Sequence, residues 1–178
     1  MEEKVILVDA NDNAIGQMGK MEAHELGRLH RAFSIFILNS NGDLLLQQRA
    51  HAKYHSPGLW TNTCCSHQRQ GEDSLTAANR RLVEEMGMQA DLKAAFTFIY
   101  KADMGNGLTE HELDHVIIGY SDLVPKINEE EVADWKWENL DYLKADLMES
   151  PQKYTAWFKI VFDQFYAYQK KSHDTNSK

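Results

Sequence analysis

Residues 109–117, "TEHELDHVI", carry titratable side chains at two competing spacings. His111-Glu112-x-x-His115 matches the H-E-x-x-H pattern, in which two histidines one helical turn apart bind zinc and the glutamate acts as base in peptide hydrolysis. Glu110-x-Glu112 sets two carboxylates one residue apart, an arrangement that a strand turns to a single face. The pattern runs into the β-branched "VIIGY", follows a glycine-rich turn and has no helix cap, so a strand is expected. On a strand Glu110, Glu112, Asp114, Val116 and Ile118 point one way, and His111, Leu113 and His115 the other. The zinc-protease reading then fails. The acidic face is either a carboxylate pair converging on a metal or a solvated strand end.

Other residues invite the same two-sided reading. Cys65-x-His67, in "WTNTCCSHQ", shares a strand face and suits either metal ligation or a thiol tuned by an imidazole; the bland alternative is a buried cysteine beside a hydrogen-bonded histidine. His24 and His30 flank "ELGRL" at a spacing that is neither helical i,i+4 nor that of a zinc finger. Three histidines and two carboxylates drawn from these residues would suit a borderline divalent ion such as Mn²⁺ or Zn²⁺. Lys20, Arg49 and Lys53 are candidate anion binders, although any one of them alone reads as a surface cation. Trp60, Tyr100 and Trp157 read as core aromatics by default.

Several elements must position these groups. "VILV" (5–8) reads as a strand before the turn-rich "DANDNAIG". "RAFSIFIL" (31–38) and "LLLQQR" (44–49) read as buried strands joined across Asn41-Gly42, a hairpin signal. "HSPGLW" is a loop and "WTNTCC" a short strand. Residues 73–87 are the clearest helix, capped by Asp73 or Ser74 and ended by Gly87. Its apolar face is expected to hold Leu75, Ala78, Leu82, Val83 and Met86, with Glu85 at the edge, Glu84 nearly opposite, and Arg81 in i,i+4 reach of Glu85. A strand over 92–100, a turn at "KADMGNGL" and a strand from Thr109 make a second hairpin. Residues 134–137 form a further strand; 139–149 and 151–169 are helical, the last with an aromatic face. Strands, a helix, more strands and then helices imply an α+β or mixed-sheet sandwich rather than a doubly wound fold.

Bulk properties bound the function. The chain has 178 residues, 43% hydrophobic and 26% charged, which suits one domain with a full core. A formal charge of −8 argues against nucleic acid or an anionic membrane as partner. No apolar run is long enough to span a bilayer, and the acidic start lacks a signal-peptide pattern. Two adjacent cysteines, Cys64 and Cys65, fit a reducing compartment, so a cytoplasmic protein is expected. A single domain over 1–170 with a disordered tail over 171–178 is expected, working as a monomer.

The run Ser66-x5-Glu72-x7-Arg80-Arg81-Leu82-Val83-Glu84-Glu85-Met86-Gly87-Met88 resembles the Nudix box, with Ser66 for Gly and Arg81 for a Glu by which Nudix hydrolases hold Mg²⁺. A cation there repels that ion and weakens the case for diphosphate hydrolysis. With "RLHRAFSIFIL", "QQRAHAKYHSPGLWTNTCCSHQRQGE", "FIYKAD", "TEHELDH" and "YTAWF", nearly the whole chain resembles the type 1 isopentenyl-diphosphate Δ-isomerase branch of the Nudix superfamily. The resemblance implies a Nudix-like mixed β-sheet sandwich flanked by helices, with additional C-terminal helices. It implies conversion of isopentenyl to dimethylallyl diphosphate in isoprenoid biosynthesis, by protonation and deprotonation through a carbocation-like intermediate. His24, His30, His67, Glu110 and Glu112 would hold one metal, Mn²⁺, Zn²⁺ or Mg²⁺. Glu85 and the backbone carbonyl of Cys65 would hold Mg²⁺ on the substrate diphosphate. Cys65 and Glu112 would be the acid–base pair, with Tyr100 bonded to Glu112 and Trp157 facing the cation. Lys20, Arg49, Lys53 and Arg81 would bind the diphosphate. A pyrophosphohydrolase and a metal-binding module without turnover are the alternatives.

Overall fold

The computed structural model describes residues 3–176, and the side chains of 3–172. Strand β3 (His30–Leu38) is the axis of the fold. It pairs in parallel with β8 (Leu108–Tyr120) from His30↔Glu112 to Leu38↔Tyr120, and antiparallel with β6 (Cys64–Ser66) at Phe33↔Ser66, Ser34↔Cys65 and Ile35↔Cys64. The hairpin β1 (Lys4–Val8) and β2 (Ala14–Gly19) joins β3 at Leu7↔His30. Strand β7 (Lys93–Gly105) lies antiparallel to β8, while β4 (Leu44–Arg49) carries β5 (Trp60–Thr61) and β9 (Val132–Glu138). Nine strands thus form a mixed sheet of α+β type.

Alternation along β3 divides the core. Phe33, Ile35 and Ile37 pack with Leu45 against Ala77, Ala78, Leu82 and Met86 of α2 (Ser74–Met86). Phe36 and Leu38 pack with Leu44 and Leu46 against Trp157, Phe158, Val161, Phe162 and Phe165 of α4 (Ala156–Asn176). The sheet is therefore covered by a helix on each face, with α3 (Leu140–Glu149) beside α4 and the seven-residue α1 (Lys20–Leu26) beside β8.

Several boundaries differ from the sequence reading. Within "DANDNAIG" strand β2 already begins at Ala14, and α1 carries no pattern that announces it. Lys101–Gly105 belong to β7 rather than to a turn; the reversal is the two-residue Asn106-Gly107, with φ of 54° and 75°, the same hairpin signal read at Asn41-Gly42. Leu75 and Val83 are exposed, and Ala77 and Glu85 are buried in their stead. The last helix starts at Ala156, after a 3-10 turn (Pro151–Lys153) and an extended Tyr154 that bridges to Trp60. Helix α4 runs on to Asn176, past the expected boundary at 170; residues 177–178 lie outside the described residues. Among the described residues, no helix is long and apolar enough to cross a membrane.

Candidate functional site

The register of β3 assembles the site. On one edge His30 faces Glu112; on the other Ser34 faces Cys65, so a carboxylate and a thiol arrive at two edges of one strand. His24 comes from α1 and His67 follows β6 directly. One ligand atom from each of His24, His30, His67 and Glu112 lies within 4.8 Å of the others. Glu112 Oε1 is 3.1 Å from His67 Nε2 and 3.4 Å from His30 Nε2. His30 Nδ1 donates to the Arg28 carbonyl at 2.8 Å, which leaves Nε2 as the lone-pair nitrogen turned to Glu112. Nε2 of His24 and of His30 are buried without a hydrogen-bond partner, an arrangement that is costly unless something accepts those lone pairs. Three imidazoles and a carboxylate fit a borderline divalent ion.

The two neighbouring carboxylates of β8 are held differently. Glu112 is buried, yet the neighbouring His30 and His67, 3.4 and 3.1 Å from its Oε1, take its carboxyl well below the usual range. Glu110 is driven up by burial and by the charge of Glu112. Tyr100 Oη lies 2.7 Å from Glu112 and 3.0 Å from Glu110, so it joins the pair. Glu110 stands outside the four-atom cluster, beside Tyr100 and 3.6 Å from His55 Nε2. Burial, with the neighbouring His67 and His30, holds His24 down at about 4. The strand placement disposes of the zinc-protease pairing: His111 meets the Gly27 carbonyl and His115 meets Asp12, both on the face opposite the acids.

Cys65 Sγ lies 3.1 Å from Asn62 Oδ1 and 3.3 Å from Ser34 Oγ. Ser34 donates its own proton to Asp114 at 2.7 Å, and the Asn62 amide nitrogen is spent on the carbonyls of Ile35 and Cys64. The sulfur therefore faces acceptors, and burial together with Asp114 pushes its pKa up, so it rests as a thiol. Cys64 points to the opposite face, fully buried, where burial and the charge of Glu85 push its pKa up. Glu85 is further held by Gln47 at 2.9 Å and by Arg81, which also meets Glu84 at 2.9 Å.

A cavity of about 1070 Å³ opens onto this cluster. His24, Cys65, His67, Glu85, Glu110 and Trp157 contribute to its wall, as do all four expected anion binders, Lys20, Arg49, Lys53 and Arg81. The Arg49 guanidinium lies 5.2 Å from the Trp157 ring centroid. His55 stands edge-on to the same ring, with centroids 5.9 Å apart. Sequence reasoning missed His55, Glu131 and Glu3, which also line the cavity; each sits in a loop or near the chain start, where no periodicity marks it.

Comparison with known proteins agrees with this layout. The NUDIX domain family matches residues 28–158. "Isopentenyl-diphosphate Delta-isomerase 2" of Aromatoleum aromaticum is 52% identical, over 92% of this chain and 87% of the relative. "Isopentenyl-diphosphate Delta-isomerase" of Pectobacterium atrosepticum is 51% identical over 89% of each. The chain belongs to the isopentenyl-diphosphate Delta-isomerase family. Two solved structures share its fold: DR0079 of Deinococcus radiodurans, with a TM-score of 0.76, 20% identity and 91% and 98% of the two chains covered, and the MutT protein of Methanosarcina mazei, with 0.66, 19%, 80% and 96%. Within this isomerase-family chain, α2 is the Nudix box helix, and Arg81 sits where it neutralises Glu85 rather than where a further carboxylate would add to it.

Proposed function

We infer that the protein converts isopentenyl diphosphate to dimethylallyl diphosphate, an intramolecular transposition of a C=C bond that serves isoprenoid biosynthesis. The observation that carries this reading is the delivery of the Cys65 thiol and the Glu112 carboxylate to opposite edges of β3, with Cys65 and His67, the close neighbour of Glu112, at the wall of one cavity. Moving the double bond needs one proton added to the terminal alkene carbon and another removed from the methylene between the cationic centre and the C–O carbon. An alkene is a very weak base, so donor and acceptor must be fixed in contact on either side of it. Cys65 and Glu112 form that pair. Tyr100 hydrogen-bonds Glu112 and orients it. Trp157 lays its ring toward the cationic centre, worth roughly 0.5–2 kcal/mol, and the apolar α4 behind it keeps water from trapping the cation.

Lys20, Arg49, Lys53 and Arg81 bind the diphosphate. His24, His30, His67, Glu110 and Glu112 would hold Mn²⁺, Zn²⁺ or Mg²⁺; Glu85 and the Cys65 carbonyl would hold Mg²⁺ on the substrate. When bound, these ions supply fixed positive charge that lowers the basicity of Glu112 and offsets the diphosphate. Gln47 and Arg81 fix the rotamer of Glu85, and Asn62 and Ser34 fix that of Cys65. We further propose a cytoplasmic monomer with no nucleic-acid or membrane partner, a reading supported by the charge of −8 and the free cysteines.

Incubation with isopentenyl diphosphate and Mg²⁺ in D₂O, followed by NMR, should place deuterium in a dimethylallyl product. Phosphate release without rearrangement would mean a hydrolase and sink the reading. Cys65→Ala should cut turnover by about 10²–10⁴-fold, while Cys64→Ala, which touches no reacting atom, keeps most of it. Equal losses from both changes would overturn the assignment within the pair.

A further inference from the structure

The cations at the cavity mouth already carry internal anions. Lys20 pairs with Glu3 at 3.1 Å. Lys53 and Arg81 converge on one oxygen of Glu131, Lys53 in a direct ion pair and Arg81 at 3.6 Å. Arg49 is engaged differently, donating to the His55 carbonyl at 3.2 Å and lying over Trp157.

The position of Glu131 is built rather than incidental. Its N–H donates to the Asn128 carbonyl at 2.9 Å, and its carbonyl accepts from Ala50 N at 3.0 Å, just past the end of β4. Asn128 N in turn donates to the Glu85 carbonyl at 2.9 Å on α2. The loop before β9 is thus fastened to the turn at Ala50 that leads to Lys53 and to helix α2 that carries Arg81, and its carboxylate is set between the two cations. Glu131 is partly buried in the cavity wall, where an ion pair is less screened than on an open surface. A diphosphate needs the same N–H groups.

We propose that Glu131 is an affinity-setting residue: its carboxylate stands in for a substrate phosphate oxygen between Lys53 and Arg81 until the diphosphate displaces it. The inference rests on the reading of Lys53 and Arg81 as diphosphate-binding cations. A carboxylate brings one negative charge, whereas a diphosphate brings several and a second set of acceptors, so the substrate wins, but at a cost that Glu131 sets. In the meantime the carboxylate compensates two half-buried cations and keeps them aimed at one point.

The test is isothermal titration with inorganic pyrophosphate at fixed Mg²⁺, on the wild type, Glu131→Gln, Glu131→Ala and Lys53→Ala. Both Glu131 variants should bind pyrophosphate tighter, by about five- to tenfold, the scale of losing one competing charge. The KM for isopentenyl diphosphate should fall in parallel, with kcat moving less. Damage to the fold would give a loss, not a gain. Unchanged pyrophosphate affinity overturns the proposal, and so does weaker binding accompanied by weaker Mg²⁺ affinity, which would make Glu131 an ion ligand. If Lys53→Ala leaves pyrophosphate affinity unchanged, the assignment of the cations itself fails. If Lys53→Ala weakens it and the Glu131 variants do not tighten it, the competitor role alone falls.

Discussion

Asp114 shows how much of this site is set by single buried groups. It is third in the alternating series Glu110, Glu112, Asp114, and takes a hydrogen bond from Ser34, which in turn meets the Cys65 sulfur. Burial, with the charge of Glu112, pushes its pKa up from 3.8 to about 8. The folded protein therefore keeps a proton that the unfolded chain gives up. Its contribution to stability is complete below about 4 and is lost as pH rises toward about 8. In urea melts with chelator present, wild-type stability should fall between pH 5 and pH 7.5 with a slope approaching roughly 1.4 kcal/mol per pH unit from this group. Asp114→Asn stays neutral throughout and accepts the same Ser34 bond, so its stability should fall less over that interval. Equal slopes would mean that Asp114 is ionised in the folded state.

At the level of elements, α2 is the lever that links the box to the loop carrying Glu131. Asp73 accepts from Thr76 N at one end, and Gly87 ends the other in the left-handed region, at φ 59°. A Cβ on Gly87 would come within 2.4 Å of the Lys126 carbonyl oxygen, and Lys126 N donates to the Met86 carbonyl at 2.8 Å. Gly87→Ala combines a left-handed backbone penalty of about 1 kcal/mol with a backbone overlap. We expect a loss of roughly 2 kcal/mol or more, read by denaturant melts. A loss near zero would mean that the 126–128 loop gives way freely. The same helix explains what the sequence could and could not disclose. Its caps and its i,i+4 Arg81–Glu85 pair are local signals, so helix, ends and pairing were legible. Its buried face was not: Leu75 and Val83 are apolar but exposed, because Ala77 and Ala78 let α2 approach the sheet closely. Strand β2 is mostly exposed and lacks alternation, and α1 starts at Lys20 after Gly19, which offers no side-chain cap, so neither left a periodic trace. The acid face of β8 was readable from period-two alternation. The gathering of His24, His30 and His67 onto it depends on contacts distant in sequence and came only through the family resemblance.

Taken over the whole molecule, the cluster joins segments distant in sequence that the sheet has already brought side by side. His24 on α1, His30 on β3, His67 after β6 and Glu112 on β8 span positions 24 to 112 and converge within 4.8 Å. In the unfolded chain no such convergence exists, so an ion that binds the cluster stabilises the folded state by mass action. At an ion concentration of about one hundred times Kd the gain is about 2.7 kcal/mol. For a domain of this size that corresponds to a rise in Tm of roughly 5–10 °C. Chelator-treated protein titrated with Mn²⁺ or Zn²⁺ should show this rise in a thermal melt. His67→Ala should abolish most of this rise; because the change also removes the 3.1 Å contact to buried Glu112, the chelated Tm should fall too, and the readout is the ion-induced rise above each protein's own chelated Tm. Glu110→Gln discriminates further: a ligand lying beside the four-atom cluster should cost less of the ion-induced shift than His67 does. An ion-induced shift that survives His67→Ala undiminished would place the ion elsewhere and break the link between this cluster and the stability of the fold.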